Sequence, residues 1–86
     1  MYYVYVLQSR KDKGLYTGYT DDLEKRLKKH KQGLVISTRS RKPLNIIYYE
    51  ACLNKRDALH REKYLKTAWG KKFIKNRLRN YLRGPS

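Results

Sequence analysis

The spacing of apolar and polar residues predicts three strands in this chain. Residues 2–7 are dense in aromatic and β-branched side chains, which favours a strand that is covered on both faces. The polar stretch that follows ends in Lys13 and Gly14, a pair typical of a hairpin turn. Residues 15–20 and 44–53 repeat the aromatic and apolar composition, and we expect two further strands there.

Polar capping residues and the spacing of leucines predict three helices. Asp21 is placed to cap the first helix, with Glu24 three residues on as in a capping box, and Gly33 is a natural stop. Asn54 is placed to cap the second helix. The predicted helices cover about residues 21–33, 54–67 and 69–82. The resulting order of elements is β-β-α-β-α-α.

The apolar stripe of the first predicted helix carries two residues that do not fit a hydrophobic core. Leu23 and Leu27 define the stripe, and Arg26 and His30 continue it at helical spacing. One cation and one imidazole therefore share the face that should meet the sheet. Because many such histidines are hydrogen-bonded core or surface residues, the pattern alone leaves both a structural and a chemical interpretation of His30 open.

The second predicted helix carries an acid on its apolar stripe. The stripe is Ala58, Leu65 and Trp69, and Glu62 falls between them. An ionised carboxylate in such a place is costly unless it is paired or binds a metal. Glu62 therefore either forms a partly buried salt bridge with Arg26, or it binds a hard divalent cation while Arg26 holds a phosphate.

Composition narrows the function to contact with a polyanion. The chain has 86 residues, with 22 Lys and Arg against 7 Asp and Glu, and a formal net charge of +15. Such an excess favours nucleic acid or an anionic membrane surface as the partner. A chain of this length is expected to form one domain, over residues 1–82 with a short tail at 83–86, and to lack a deep cofactor pocket.

Membrane and secretory functions are disfavoured. The longest apolar run, residues 1–7, is far shorter than the ~20 residues of a spanning helix, and it lacks the order of a signal peptide. The single cysteine, Cys52, excludes an internal disulfide framework and a multi-cysteine zinc site. The sequence therefore predicts a cytoplasmic protein that binds nucleic acid.

Cations between the first helix and the third strand are predicted contacts for phosphates. Residues 34–43 combine Arg39, Arg41 and Lys42 with Ser and Thr, and we expect a mobile basic loop there. Lys29 on the first helix is a further candidate. Such residues supply affinity for nucleic acid without reading its sequence.

Two short tyrosine motifs are similar to the paired signature of the GIY-YIG nuclease domain. Tyr-Val-Tyr at 3–5 is followed, after ten residues, by Tyr-Thr-Gly at 16–18. On their own, Tyr5 and Tyr16 would be explained by packing across a hairpin. Segments 23–30 and 58–62 also resemble the first helix and the metal-binding helix of that family, so the resemblance covers about residues 2–82. It is strongest to the small stand-alone bacterial branch, which is similar to the N-terminal domain of the excinuclease incision subunit.

The resemblance implies a fold and an activity. The fold is an α+β domain in which three helices flank a three-stranded, mainly antiparallel sheet. The activity is endonucleolytic hydrolysis of phosphodiester bonds with one Mg²⁺ or Mn²⁺ ion per site, leaving 5′-phosphate and 3′-hydroxyl ends. The resemblance also favours DNA over RNA as substrate, and a role in DNA repair or processing.

The resemblance assigns roles to the residues singled out above. Tyr5 is expected to act as general base or to orient the attacking water, with Tyr16 in the same network. Arg26 is expected to hold the scissile phosphate, and Glu62 to bind the metal ion. His30 is expected to relay a proton or to contact the phosphate.

The sequence departs from the family pattern at several positions. Tyr3 replaces the first Gly of the signature, and Thr17 replaces an aliphatic residue. The family often carries an Asn near the end of the domain. Asn76 is the nearest match here, with Asn80 as a competitor.

Two other functions fit parts of the sequence. A catalytically weak or inactive nucleic-acid-binding module of the same fold would need the basic residues but not Glu62. A small structural protein of a ribonucleoprotein particle would fit the size and the charge alone. A weak homodimer, or an unidentified protein partner that supplies target choice, is a further expectation.

Overall fold

A three-stranded antiparallel sheet organises the fold, in a computed structural model that describes residues 1–84. The strand order is β2-β1-β3, so β1 is central. The elements are β1 (Tyr2–Ser9), β2 (Leu15–Thr20), α1 (Leu23–Lys31), a 3-10 turn (Arg39–Arg41), β3 (Leu44–Cys52), α2 (Lys55–Leu65), α3 (Ala68–Arg77) and α4 (Arg79–Arg83). The predicted α+β fold and its order of elements are confirmed. Within residues 1–84, no helix has the length and apolarity needed to cross a membrane.

The structure divides the third predicted helix in two. At Leu78 the backbone leaves the helical range, with φ −109° and ψ 21°, while its N–H still donates to the Ile74 carbonyl. The short helix α4 therefore starts separately. Arg83, which the sequence analysis placed in a tail, is the last residue of α4, and residues 85–86 lie outside the described part of the chain.

The first helix begins one residue later than predicted. Asp22, rather than Asp21, is the N-cap, and its carboxylate accepts a hydrogen bond from the Lys25 N–H at 3.1 Å. The Thr20 hydroxyl accepts a hydrogen bond from the Asp22 N–H, also at 3.1 Å, which forms a bend before the helix. The predicted stop is confirmed, because Gly33 follows the helix with a φ of 77°.

One side of the sheet, which we call the apolar face, holds a hydrocarbon core. Val4 and Val6 of β1 pack there against Ala58 and Leu65 of α2 and Ile74 of α3. All five side chains are at most 2% exposed. Each CH₂ group buried in this cluster stabilises the fold by roughly 0.8 kcal/mol.

The opposite side, which we call the polar face, is covered by α1 and residues 33–43. Tyr5 points to this side, against His30 of α1. The expected basic loop is anchored here, since Thr38 is fully buried. It is also tied to the end of β1, where the Ser9 hydroxyl donates to the Arg41 carbonyl oxygen at 2.7 Å.

Trp69 does not extend the apolar stripe of α2, and its prediction as a core-facing residue was wrong. Helix α2 ends at Leu65, and Thr67 caps a new helix by accepting a hydrogen bond from the Gly70 N–H. The helical spacing of α2 therefore does not continue across the junction. Trp69 lies on α3 with 73% of its surface exposed.

Candidate active site

Tyr5 is the centre of the candidate site and has no exposed surface. On β2 its partner in the register is Gly18, and on β3 it is Tyr49. A Cβ atom at position 18 would overlap the ring and hydroxyl of Tyr5. Glycine at this position therefore leaves the space that the phenol occupies.

The Tyr5 hydroxyl begins a chain of hydrogen bonds that leads through His30 to Thr38. Its oxygen lies 2.7 Å from His30 Nε2, and His30 Nδ1 lies 2.7 Å from Thr38 Oγ1. Arg26 Nε donates to the Tyr5 oxygen at 3.3 Å. We therefore assign the Tyr5 proton to the bond with Nε2, which leaves the Nδ1–H to donate to Thr38.

Burial keeps both members of the Tyr5–His30 pair uncharged at neutral pH. Burial raises the pKa of Tyr5 above its ordinary value of 10.0, although the hydrogen bond and charge of Arg26 oppose this shift. Burial, and then the charge of Arg26, lower the pKa of His30 from 6.5 to about 4. His30 is therefore a neutral imidazole with an acceptor nitrogen directed at a phenol.

Tyr16 packs beside this pair. Its ring centroid lies 6.5 Å from that of Tyr5 and 5.5 Å from that of His30. It is opposite Leu7 in the register, so the two tyrosines are diagonal neighbours on the polar face. Among the hydrogen bonds of residues 1–84, none joins the Tyr16 hydroxyl to Tyr5. The Tyr16 ring packs beside the pair, and Tyr16 adds to the effect of Tyr5 in raising the pKa of Arg26.

Arg26 is the half-buried cation that connects Tyr5 to solvent. Its hydrogen bond to Tyr5 raises the pKa of the guanidinium above its ordinary value, so the group stays charged. It borders a shallow polar groove whose other lining residues come from α1, from the two residues before it and from the end of β2. These residues are Thr20, Asp21, Asp22, Lys25 and Lys29. The predicted phosphate contact Lys29 is thus placed next to Arg26.

Glu62 on α2 does not form the salt bridge with Arg26 that was one of the two hypotheses. Its side chain is 20% exposed, and its Oε2 pairs with Lys66 Nζ at 3.2 Å. No ion pair joins it to Arg26 in the described chain. Its charge raises the pKa of Tyr5 and of Tyr19, so the carboxylate lies within electrostatic reach of both.

The donor set at Glu62 fits a magnesium-like ion better than a zinc-like one. Residues 1–84 contain no cluster of three or more His, Cys, Asp or Glu that could enclose a metal. Magnesium often takes one or two protein carboxylates and fills its other positions with water and substrate phosphates. A single, mostly buried carboxylate is consistent with that mode of binding.

The remaining predicted residues fall outside this group. Arg39 and Lys42 are exposed, whereas Arg41 is half-buried and its guanidinium lies 3.7 Å from the Asp12 carboxylate. Asn76 is exposed on α3, where it borders a groove with Trp69. Helix α3 packs on the apolar face, as does α2 with Glu62, and no hydrogen bond within residues 1–84 joins Asn76 to Tyr5.

Thr38 is the residue that the sequence analysis missed. It is fully buried and is the hydrogen-bond partner of His30. It comes eight residues after His30, in a stretch of Ser, Thr and basic residues that resembles any solvated loop. No local pattern distinguishes it, because its contact depends on the path of the loop back to the sheet.

One protein family and several bacterial proteins are similar in sequence to this chain. The GIY-YIG catalytic domain family matches residues 1–78. A UPF0213 protein of Clostridium perfringens is 49% identical over 67 residues, which cover 77% of this chain and 71% of that protein. A UPF0213 protein of Staphylococcus saprophyticus is 40% identical over 75 residues, which cover 86% of this chain and 90% of that protein. No solved structure matches this chain.

Proposed function

This chain belongs to the GIY-YIG catalytic domain family, and we propose from that membership that it is a metal-dependent endonuclease acting on DNA in repair or processing. The observation that carries the proposal is the Tyr5 hydroxyl, which is hydrogen-bonded to a charged guanidinium and a neutral imidazole between the sheet and α1. A structural salt bridge would explain Arg26 without chemistry, but Arg26 contacts a phenol and not Glu62.

Arg26 binds the scissile phosphate in this proposal. Its planar fork suits phosphate oxygens, and Lys25 and Lys29 border the same groove. The bond from Arg26 to Tyr5 is long, at 3.3 Å, so a phosphate competes for the guanidinium. Movement of Arg26 onto the phosphate opens the buried Tyr5 hydroxyl to water.

Tyr5 and His30 then move the proton. As the water oxygen attacks phosphorus, its proton passes to the Tyr5 oxygen, and the Tyr5 proton passes to His30 Nε2. Because the charge of Arg26 helps to lower the pKa of His30, a bound phosphate raises that pKa and makes Nε2 a better acceptor. The bond to the 3′ oxygen breaks, and solvent protonates that oxygen. The products carry 5′-phosphate and 3′-hydroxyl ends.

Glu62 is the residue proposed to hold one Mg²⁺ or Mn²⁺ ion. Such an ion supplies positive charge for the phosphate and for the leaving oxygen, and it lowers the pKa of a nearby phenol. Glu62 contributes a carboxylate that the fold keeps 80% covered, with Lys66 as its resident counter-ion. Lys66 is about half exposed and can swing away.

Nicking of supercoiled plasmid DNA in Mg²⁺ or Mn²⁺ tests the proposal. We expect the parent protein to leave nicks that DNA ligase can seal, and Glu62→Gln to nick about 100-fold more slowly or worse. Glu24→Gln, which changes an exposed acid of α1, is the matched control and should nick at the parent rate. A parent protein that cleaves no DNA or RNA would contradict the enzyme class. Equal rates for parent and Glu62→Gln would contradict the metal site alone.

A nucleic-acid-binding module without catalysis is the second candidate. It is favoured by the uncharged resting state of Tyr5 and His30. Calorimetric titration with duplex DNA separates the two functions. Binding unchanged by Mg²⁺ and by Glu62→Ala, together with an inactive parent, supports the module, whereas Mg²⁺-dependent cleavage excludes it.

A further inference from the structure

Trp69 is an exposed aromatic side chain that the candidate active site does not use. It is the single tryptophan of the chain, and 73% of its surface is exposed. It borders a shallow groove on α3 and α4, together with Lys72, Phe73, Lys75, Asn76 and Arg79.

The groove beside Trp69 has a strongly positive lining. Lys72 Nζ lies 5.9 Å from the Trp69 ring centroid, and Lys75 and Arg79 are exposed nearby. No acid is among the lining residues. In the sequence, no Asp or Glu follows Glu62, whereas eight Lys and Arg do. An anionic partner is therefore favoured at this surface.

The positively charged surface extends beyond the groove, from α3 and α4 to the β1–β2 turn. Lys75 and Arg79 also border a second depression, formed with Lys13 of the β1–β2 turn and with Arg83 of α4. A polyanion that reaches Trp69 can thus follow cations towards the hairpin. The track shares no lining residue with the groove at Arg26, which starts on the opposite face of the sheet.

We propose that this surface, residues Trp69, Lys72, Lys75 and Arg79, binds single-stranded nucleic acid, with an unpaired base stacked on the Trp69 indole. Any base can stack on an exposed aromatic ring, and cations beside the ring can pair with the flanking phosphates. In a duplex the faces of the bases are already stacked on each other, so the same surface offers a duplex only its charge. This site rests on the proposed nucleic-acid partner but not on cleavage.

The fluorescence of the single tryptophan reports directly on this site. The full chain is titrated with a short oligo(dT) and with a duplex of equal length, in the absence of divalent metal so that nothing is cleaved. We expect saturable quenching by oligo(dT) after correction for absorbance, and little quenching by the duplex. No quenching by oligo(dT), at concentrations where the oligonucleotide is bound, overturns the proposal.

Variants separate stacking from charge. In anisotropy titrations with labelled oligo(dT), Trp69→Ala should weaken binding about tenfold, and Trp69→Phe should recover most of the affinity. Tyr81→Ala removes another half-exposed aromatic ring, on α4, and serves as the matched control with binding near the parent value. Equal losses of oligo(dT) and duplex binding in Trp69→Ala would overturn the stacking role.

The same experiments distinguish a nucleic-acid site at Trp69 from the proposed nuclease activity and from binding to a lipid surface. Quenching by oligo(dT) in a parent protein that cleaves nothing supports the surface and contradicts only the nuclease. Plasmid nicking without any effect at Trp69 supports the nuclease and overturns the surface. A blue shift with vesicles containing phosphatidylserine, without quenching by oligo(dT), would assign the surface to a lipid headgroup layer and overturn the proposal.

Discussion

The two faces of the central strand bury neighbouring residues to the same extent but for different purposes. Val4, Tyr5 and Val6 are consecutive on β1, and each is at most 1% exposed. The two valines meet hydrocarbon from α2 and α3, whereas Tyr5 meets His30 and Arg26. Burial therefore stabilises the fold on one face, while on the other it shifts pKa values and fixes hydrogen bonds.

The polar face differs from the apolar face in that its buried groups must be hydrogen-bonded to be tolerated. A buried phenol and imidazole are tolerated because each polar atom has a partner, and no buried side-chain N or O of the described residues lacks one. The apolar-face cluster adds hydrophobic stabilisation that does not depend on these hydrogen bonds. Changes on the two faces should consequently separate activity from stability.

The largest effect is expected from Tyr5→Phe, which keeps the ring and removes the shared hydroxyl. Plasmid nicking should fall about 100-fold or more, the range for loss of a general base. The free energy of unfolding should fall by only about 1–3 kcal/mol, because His30 Nε2 loses its partner. Tyr49→Phe, at the paired and 56% exposed position on β3, is the control. If Tyr5→Phe nicks at the parent rate, the Tyr5 hydroxyl has no part in cleavage and the residue serves packing alone.

The reverse result is expected from Leu65→Ala on the apolar face. Leu65 is 1% exposed, and its truncation should lower the free energy of unfolding by about 2–5 kcal/mol in urea titrations. The rate per folded molecule should stay near that of the parent. Leu59→Ala, on the same helix but 39% exposed, should cost less than about 1 kcal/mol. A Leu65→Ala protein that is stable but inactive would break the separation of the two faces.

A smaller effect on both properties is expected from Thr38→Val. The change keeps the shape of the side chain and leaves His30 Nδ1 without a partner, at a cost of about 1–3 kcal/mol in unfolding free energy. Nicking should slow as the imidazole loses its fixed orientation. Thr38→Ser retains the hydroxyl and should restore both. A Thr38→Val protein that nicks and unfolds like the parent would contradict the role of the hydrogen bond.

The smallest effect is expected from a moderate fall in pH. Above about pH 4.5, only His30 on the polar face should change the free energy of unfolding. The unfolded chain protonates His30 below about pH 6.5, whereas the folded chain resists until its pKa of about 4. Stability from the neutral imidazole is therefore complete above pH 6.5 and is lost as the pH falls towards 4. Urea titrations across this range should show the decline in the parent and in the exposed-site variant His60→Gln. The decline should be absent in His30→Gln, and a decline that persists there would have another source.

Most of the fold could be predicted because its signals are local. Aromatic and β-branched runs marked the three strands, and Asn54 capped α2 as expected. The errors fell at junctions, where a side chain outside the pattern decides the backbone. The Thr20 hydroxyl bonds the Asp22 N–H at the bend before α1, where Asp22 and not Asp21 is the N-cap. Thr67 caps a separate helix, so Trp69 does not continue the stripe of α2.

The candidate site could be predicted only in part. Arg26 and His30 were visible because they violate an apolar stripe, and the structure brings both to Tyr5. Thr38 was invisible, since its contact arises from the return of a loop. The role of Asn76 stays a prediction, because it rests on likeness in position along the chain, without a packing signal. The metal-binding role of Glu62 stays a prediction.

The pairing of Tyr5 with Gly18 has a consequence for how this sequence can vary. The phenol fills the volume that a side chain at position 18 would need, so neither half of the tyrosine motif pair is independent. A residue larger than glycine at 18 requires the Tyr5 ring to move or to be replaced. Substitutions at positions 5 and 18 are therefore coupled. A larger side chain at 18 is expected only in sequences that carry a smaller side chain at 5.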